Sequence, residues 1–376
     1  MHNTSKKLKI VIMAGGTGGH VFPGIAIAHE LQKANVEIHW LGTQGGLEKN
    51  WVEKAGLDIS EISIRGLRGN GALGWLKAPF NITRAWWQAR KILKQQQADL
   101  VLGMGGFVCG PGGLAAKSLG IPLMIHEQNA IPGLTNKLLA PFCESIITAF
   151  EQEKLTGDKV HLMGNPVRQG LESIPVVEWN SDRPVNLLVL GGSRGALALN
   201  QNLPKALALL PASLRPVVQH QTGTKTLEQT LGFYQQVGID ANITAFIEDM
   251  QSAYEKADLV LCRSGALTVS ELMAVARPAI MVPYPYAVDD HQTQNAQALV
   301  DLQGGEILQE RDMNEKVLAE HLNAWLAHPE RLMQASKMIR QNAPQQALEN
   351  ICQHLLDFCQ SRQSSLSHSQ KNSEEK

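Results

Sequence analysis

The chain has 376 residues, enough for two domains of about 100–200 residues each. It is 44% apolar and 18% charged with a net charge of −1, so no nucleic-acid partner is expected and any basic surface must be local. Five scattered cysteines without a Cys-x-x-Cys pair argue against a disulfide framework or a zinc site and fit a reducing compartment, and no window of about 20 apolar residues offers a membrane span.

The apolar run Ile10–Ala14 reads as a strand buried on both faces, since it does not alternate. Lys6, Lys7 and Lys9 precede it, but the run is too short for a signal peptide. Gly15-Gly16-Thr17-Gly18-Gly19-His20 follows and opens a helix, Val21–Ala34. Glycines let backbone approach a ligand closely, and a helix start offers free N–H groups to a phosphate. His20 stands at that mouth, where a group titrating near neutral pH can move a proton. The plain alternative is a tight turn beside a solvated histidine. The dinucleotide fingerprint is absent, because Val21 stands at its third glycine, and no Gly-Lys-Ser/Thr follows to make a P-loop.

Glu37–Leu41 reads as the second strand and Gly66–Gly71 as a flexible loop. Between Ile62 and Ala98 there are seven basic residues and no acidic one, with Trp75, Trp86 and Trp87 interleaved. A helix starting near Asn81 places Ile82, Ala85, Trp86, Ala89, Ile92 and Leu93 on one face. Trp87 falls opposite, with Arg84, Lys91 and Lys94. Trp75, Arg84, Trp87 and Lys91 suit the headgroup layer of an anionic membrane surface; a solvated basic face is the alternative.

Strands are expected at Asp99–Leu102, Leu123–Ile125 and Ser145–Ala149, with a second glycine cluster from Gly103 to Gly113. His126-Glu127-Gln128-Asn129 falls at a strand's carboxyl end, where open α/β sheets bind ligands. Gly164-Asn165-Pro166-Val167-Arg168 reads as a domain junction. The opening pattern then recurs as strand Val185–Leu190, loop Gly191-Gly192-Ser193-Arg194-Gly195 and helix Ala196–Leu210. Val217–Gln219, Ile243–Phe246, Leu259–Cys262 and Ala279–Val282 continue a second sheet. Ser264 is the expected N-cap of a helix on which Thr268 and Glu271 share a face. A carboxylate there can accept two hydrogen bonds from a vicinal diol such as ribose; the alternative is a first-turn acid complementing the helix dipole. Asp289–Asn295 is a further polar helix start. The last helices are expected to run to about Phe358, and the polar residues 361–376 to be a disordered tail.

The expected fold is therefore α/β, with two doubly wound Rossmann-like domains facing across a cleft. Residues 1–165, joined by the last helix at about 342–360, form the first domain, and residues 166–341 the second. One domain would hold a nucleotide diphosphate and the other a second substrate. No Asp-x-Asp pair lies in the expected cleft loops, so no metal and no cofactor are expected. Helix N-termini, Arg168 and Arg194 would offset the diphosphate charge.

From about Lys9 to about Phe358 the sequence resembles the MurG family of bacterial glycosyltransferases, which make lipid II. The resemblance rests on Gly15–His20, Gly103–Gly106, His126–Asn129, Gly164–Arg168, Gly191–Ser193, Arg263–Glu271 and Asp290–Gln292, all in order. It implies the GT-B fold and inverting transfer of N-acetylglucosamine from UDP-GlcNAc to the 4-hydroxyl of the muramyl sugar of lipid I, the undecaprenyl-linked muramyl pentapeptide. It implies a peripheral enzyme on the cytoplasmic face of the inner membrane, serving cell-wall biogenesis, shape and division beside the proteins of those processes. Carried over, the resemblance assigns uracil to the Ile247 backbone and the ribose hydroxyls to Glu271. It assigns the diphosphate to Ser193 with Ala266, Leu267 and Thr268 at the start of the helix that continues through Val269 and Ser270. Arg168, Asn129, Gln292 and Thr17-Gly18-Gly19 would complete the donor site. The acceptor would sit against the N-terminal glycine loops and Glu127.

Inversion in one displacement needs a base for the attacking hydroxyl. His20 is the first candidate and Glu127 its rival; His20 as an acceptor- or phosphate-binding group also stands. One departure is Arg194, where the family usually carries glutamine. Three other classes compete. A UDP-N-acetylglucosamine 2-epimerase shares the architecture but needs no membrane surface. A nicotinamide-dependent oxidoreductase lacks its third glycine here. A non-catalytic nucleotide-sugar-binding protein would leave His20 without a task.

Overall fold

A computed structural model describes residues 7–16, 18–64, 71–179, 183–192 and 195–374, with side chains described for all but 71–77, 288 and 366–374. The chain divides into two compact units, Met1–Val167 with Gln346–Lys376, and Arg168–Gln345.

The N-terminal unit runs β1 (Lys9–Ala14), α1 (Gly18–Lys33), β2 (Glu37–Thr43), α2 (Glu48–Lys54), β3 (Ile59–Ile62), α3 (Gly71–Gln96), β4 (Leu100–Gly105), α4 (Cys109–Ser118), β5 (Leu123–Glu127), α5 (Leu134–Leu139), β6 (Ser145–Thr148) and β7 (Val160–Leu162). Its seven strands lie in the order β3-β2-β1-β4-β5-β6-β7 and every recorded pairing is parallel. From Ile10 to Ala14 strand β1 is apolar and buried, as suits a strand covered on both faces. Ile10, Ile12 and Ala14 pack with Val21, Ile27 and Leu31 of α1, while Val11 and Met13 pack with Ala85, Ala89 and Leu93 of α3 and with Cys109 of α4.

The C-terminal unit runs β8 (Asn186–Leu190), α6 (Leu197–Leu209), β9 (Val217–Gln221), α7 (Leu227–Val237), β10 (Asn242–Thr244), α8 (Met250–Lys256), β11 (Leu259–Cys262), α9 (Ala266–Val275), β12 (Ala279–Met281), α10 (His291–Asp301), β13 (Gly305–Ile307), α11 (Glu315–Leu326) and α12 (Pro329–Asn342). Its sheet is β10-β9-β8-β11-β12-β13, again with parallel pairings. In each unit the strand order reverses beside the first strand, between β1 and β4 and between β8 and β11. Ligands of open α/β sheets bind outside the carboxyl ends of strands at such points, and the glycine loops occupy them.

The chain returns to the N-terminal unit as α13 (Ala347–Glu374), whose Ile351, Cys352, Leu355 and Cys359 share a core with Ile27 and Leu31 of α1. This helix continues through the stretch expected to be disordered. Once nucleated, a helix propagates at little cost, and Gln, Lys and Glu are good helix formers.

Several elements extend past their expected ends. Strand β4 absorbs Gly103-Met104-Gly105 and β5 absorbs His126 and Glu127. Helix α1 begins at Gly18 rather than Val21, which places His20 in its first turn. Helix α3 begins at Gly71 rather than near Asn81 and carries Pro79 within it.

Candidate active site

In the N-terminal unit the site grows from two glycine turns that touch. The Gly15 N–H donates to the Gly105 carbonyl at 3.3 Å. Gly106 has φ +88°, and a Cβ there would fall on the Gly15 carbonyl, so only glycine permits this approach. The His20 ring rests on Gly105, where an added Cβ would lie 2.8 Å from Cδ2 and 3.0 Å from Nε2. His20 is half-buried, and its buried Nδ1 has no hydrogen-bond partner among the described residues. Burial lowers its pKa below the usual histidine range; the Glu127 charge and the Gly15 carbonyl oppose that shift without cancelling it. The imidazole is therefore neutral at pH 7 and able to accept a proton.

Glu127, buried at the end of β5, is wrapped by donors. Its Oε1 accepts from the Asn129 N–H at 3.0 Å and from Asn129 Nδ2 at 3.4 Å, and its Oε2 from the Gly133 N–H at 3.0 Å and Asn136 Nδ2 at 2.8 Å. It folds the 128–136 loop around itself and acts on His20 through charge. Its neighbours are fixed as well. His126 Nε2 lies 3.0 Å from the Gly164 carbonyl, and burial pushes its pKa down to about 4. Gln128 Nε2 donates to the Met104 carbonyl at 2.7 Å. The main-chain oxygen of Asn129 accepts from Gln152 Nε2 at 2.8 Å. Thr17 lies outside the described residues; Gly18 and Gly19 open α1.

In the C-terminal unit the Gly191 N–H donates to the Gln221 carbonyl at 3.1 Å, and Gly195, at φ +79°, abuts the Thr222 carbonyl. Ser193 and Arg194 lie outside the described residues. Helix α9 is capped differently from expectation. Its N-cap is Gly265 in extended conformation, and no side chain accepts from its first turn. Ser264 is one residue too early; its buried Oγ has no hydrogen-bond partner among the described residues. The first-turn N–H groups at Ala266, Leu267 and Thr268 thus face no capping side chain, which suits an anion. Val269 and Ser270 turn inward, with Ser270 Oγ donating to the Ala266 carbonyl at 2.9 Å.

Glu271, one turn on, is buried. Its Oε2 accepts from the Tyr254 hydroxyl at 3.0 Å, and its Oε1 lies 3.2 Å from Nε of the half-exposed Arg168. Burial raises its pKa, and Arg168 and Tyr254 restrain the rise. The Ile247 N–H donates to Gln221 Oε1 at 3.2 Å, and Gln292 Oε1 accepts from the Tyr284 N–H at 2.9 Å.

Sequence reasoning missed Tyr254, Gln221 and the buried Glu48. The first two hold Glu271 and Ile247 from other elements, and no local pattern announces such pairing. Glu48 follows Gly45-Gly46, a short glycine turn after β2 that was the available signal. Among the described residues no group of three or more His, Cys, Asp or Glu is placed to hold a metal ion.

Residues 10–148 match the glycosyltransferase family 28 N-terminal domain, and residues 186–351 the glycosyltransferase family 28 C-terminal domain. A relative from Hydrogenovibrio crunogenus, named UDP-N-acetylglucosamine--N-acetylmuramyl-(pentapeptide) pyrophosphoryl-undecaprenol N-acetylglucosamine transferase, is 62% identical over 353 residues, covering 94% of this chain and 99% of its own. The chain belongs to the MurG family. A relative of the same name from Dichelobacter nodosus is 46% identical, covering 94% of this chain and 99% of its own. The crystal structure of Acinetobacter baumannii MurG superposes with a TM-score of 0.79 at 38% identity, covering 94% of this chain and 99% of that one.

Away from the glycine turns, α3 of this MurG-family chain divides as its helical spacing predicts. Ala85, Ala89 and Leu93 are buried, whereas Arg84, Lys91 and Lys94 are exposed and Trp87 is 60% exposed. Trp86 packs edge-on against Trp87, with centroids 5.0 Å apart, under the Arg90 guanidinium. Phe80, about two turns before Trp87 on that exposed side, is 72% exposed. The Trp75 side chain lies outside the described residues. No described helix is long and apolar enough to cross a membrane.

Proposed function

We propose that this chain transfers N-acetylglucosamine from UDP-GlcNAc to the 4-hydroxyl of the muramyl sugar of lipid I, with inversion, giving lipid II for peptidoglycan synthesis. The observation that carries the reading is the 62% identity, over 94% of the chain, to a relative named for that transfer. The side chains supply the means. His20, neutral at pH 7, removes the proton as the acceptor oxygen attacks the anomeric carbon, and the Glu127 charge stabilises the imidazolium that forms. The bond from that carbon to the diphosphate breaks, and UDP leaves. The open first turn of α9 and Arg168 offset the diphosphate charge. Glu271 receives the ribose hydroxyls, the Ile247 backbone the uracil, and Ser193 and Gln292 complete the donor site. Asn129 and Thr17-Gly18-Gly19 also serve the donor, and the N-terminal glycine loops and Glu127 receive the acceptor.

The exposed face of α3 supports a peripheral station on an anionic membrane, the cytoplasmic face of the inner membrane, where the lipid acceptor resides. Trp75, Trp87, Arg84 and Lys91 are its contacts. Proteins of cell-wall synthesis and division are the partners this station would meet.

The test is transfer of labelled N-acetylglucosamine to a synthetic lipid I analogue by wild type and His20→Ala. Wild type forms product, and the variant loses roughly 10²- to 10⁴-fold in kcat while still binding UDP. Because the His20 pKa is lowered, wild-type activity persists below pH 6.5 and falls as pH drops through that lowered pKa and the base protonates. A variant with near wild-type turnover, or with the same acid limb, moves the base elsewhere.

A further inference from the structure

Glu48 opens α2, far in sequence from His20, and is fully buried. A buried carboxylate is costly unless its oxygens are satisfied. Here Oε1 accepts from the Thr43 N–H at 2.8 Å and from the Thr43 hydroxyl, and Oε2 accepts from the Gly16 N–H at 3.3 Å. Its neighbour Lys49 pairs with Glu61 and Glu53 instead, and among the described residues no basic side chain forms an ion pair with Glu48. The socket is cut to fit. A Cβ on Gly15 would lie 3.1 Å from Glu48 Oε1, and one on Gly46 would fall on the carboxylate.

The contacts form a chain. Glu48 ties the end of β2 to the Gly15–Gly16 turn. That turn is tied to Gly105 and Gly106, and the ring of His20 rests on Gly105. Two residues after Gly16 begins α1, whose positive end favours a nearby anion. The Gly16 N–H is already spent on Glu48, so among the described residues of this turn it is the first turn of α1 that keeps N–H groups for a bound phosphate.

We propose that Glu48 is a positioning residue for the transfer step: its carboxylate fixes the Gly15–Gly16 turn and through it the placement of His20. The proposal rests on the reading of His20 as the base. Misplacing a catalytic group by about 1 Å costs on the order of 100-fold. Glu48→Gln keeps the shape but turns an amide NH₂ toward groups that are themselves donors. Its kcat with UDP-GlcNAc and the lipid I analogue should fall roughly 10- to 100-fold, while the donor KM, which the C-terminal unit mainly sets, stays within about twofold.

A double-mutant cycle separates positioning from general damage. On the His20→Ala background, Glu48→Gln should remove little more activity. An equal fold-loss on both backgrounds, or a Glu48→Gln enzyme with wild-type kcat, overturns the proposal. If His20→Ala itself turns over like wild type, the reading of His20 falls and the route through it falls too, a pattern distinct from additivity. Gly46→Ala provides the check should Glu48→Gln fail to fold, because it displaces the carboxylate without removing it, at a backbone φ that alanine tolerates. Reduced kcat with intact UDP binding supports the proposal, and wild-type kcat overturns it.

Discussion

Glu127, at the carboxyl end of β5, and Glu271, in the helix that follows β11, are both buried carboxylates of a parallel-sheet unit, yet their surroundings differ. Glu127 accepts from four donors, three in the loop after β5 and one, Asn136, in α5. Glu271 has two partners, the buried Tyr254 hydroxyl and the half-exposed Arg168 guanidinium. A carboxylate whose oxygens are filled by its own loop shapes that loop and projects charge. One whose second oxygen faces an exposed arginine can exchange that partner for a ligand hydroxyl. Saturation, more than burial, separates a carboxylate that builds a site from one that binds.

Substitution should pull the two apart. Glu127→Ala strands four donors, and the stability loss should be on the order of 3–5 kcal/mol, read as a lower urea midpoint at unchanged slope. Glu271→Ala should cost less stability but raise the donor KM about 10- to 100-fold, the worth of a hydrogen bond to a charged group, with little change in acceptor KM. Equal destabilisation by both variants, or an unchanged donor KM in the second, would erase the distinction. The smallest effect on chemistry should come from the exposed face of α3, which carries neither carboxylate. Replacing Trp75, Arg84, Trp87 and Lys91 together should release the protein from anionic vesicles, at about 1 kcal/mol for each basic residue near the surface. Turnover of a short-chain soluble acceptor should stay within about twofold of wild type; undiminished vesicle binding would return α3 to a solvated basic helix.

Much of this arrangement is legible in the sequence, because its strongest signals are local. The unalternating run Ile10–Ala14 followed by glycines, and its echo at Val185–Gly195, announce two doubly wound sheets. The helical spacing of Ala85, Ala89 and Leu93 separates buried from exposed faces of α3, though Pro79 hides the true start of the helix. Glycines hide the start of α1: their low propensity suggests loop, yet the first helical turn makes few backbone bonds to lose. The serine expected to cap α9 illustrates a different limit, since Ser264 and Gly265 are both acceptable cap residues and the backbone decides between them. Least legible are Glu48, Gln221 and Tyr254, each paired with a residue on another element. Those pairings exist only once the strands are in register.

The return of α13 to the N-terminal unit carries a consequence for the order of assembly. Ile351, Cys352, Leu355 and Cys359 cover the side of α1 that Ile27 and Leu31 present, and they are synthesised after the entire C-terminal unit. At about 5–20 residues per second, the 178 residues from Arg168 to Gln345 occupy a ribosome for on the order of ten to forty seconds. Through that interval the helix that begins at the glycine turn has one apolar flank without its cover. The unit begun first is therefore the one completed last, and an open flank is available to a chaperone until the final helix arrives.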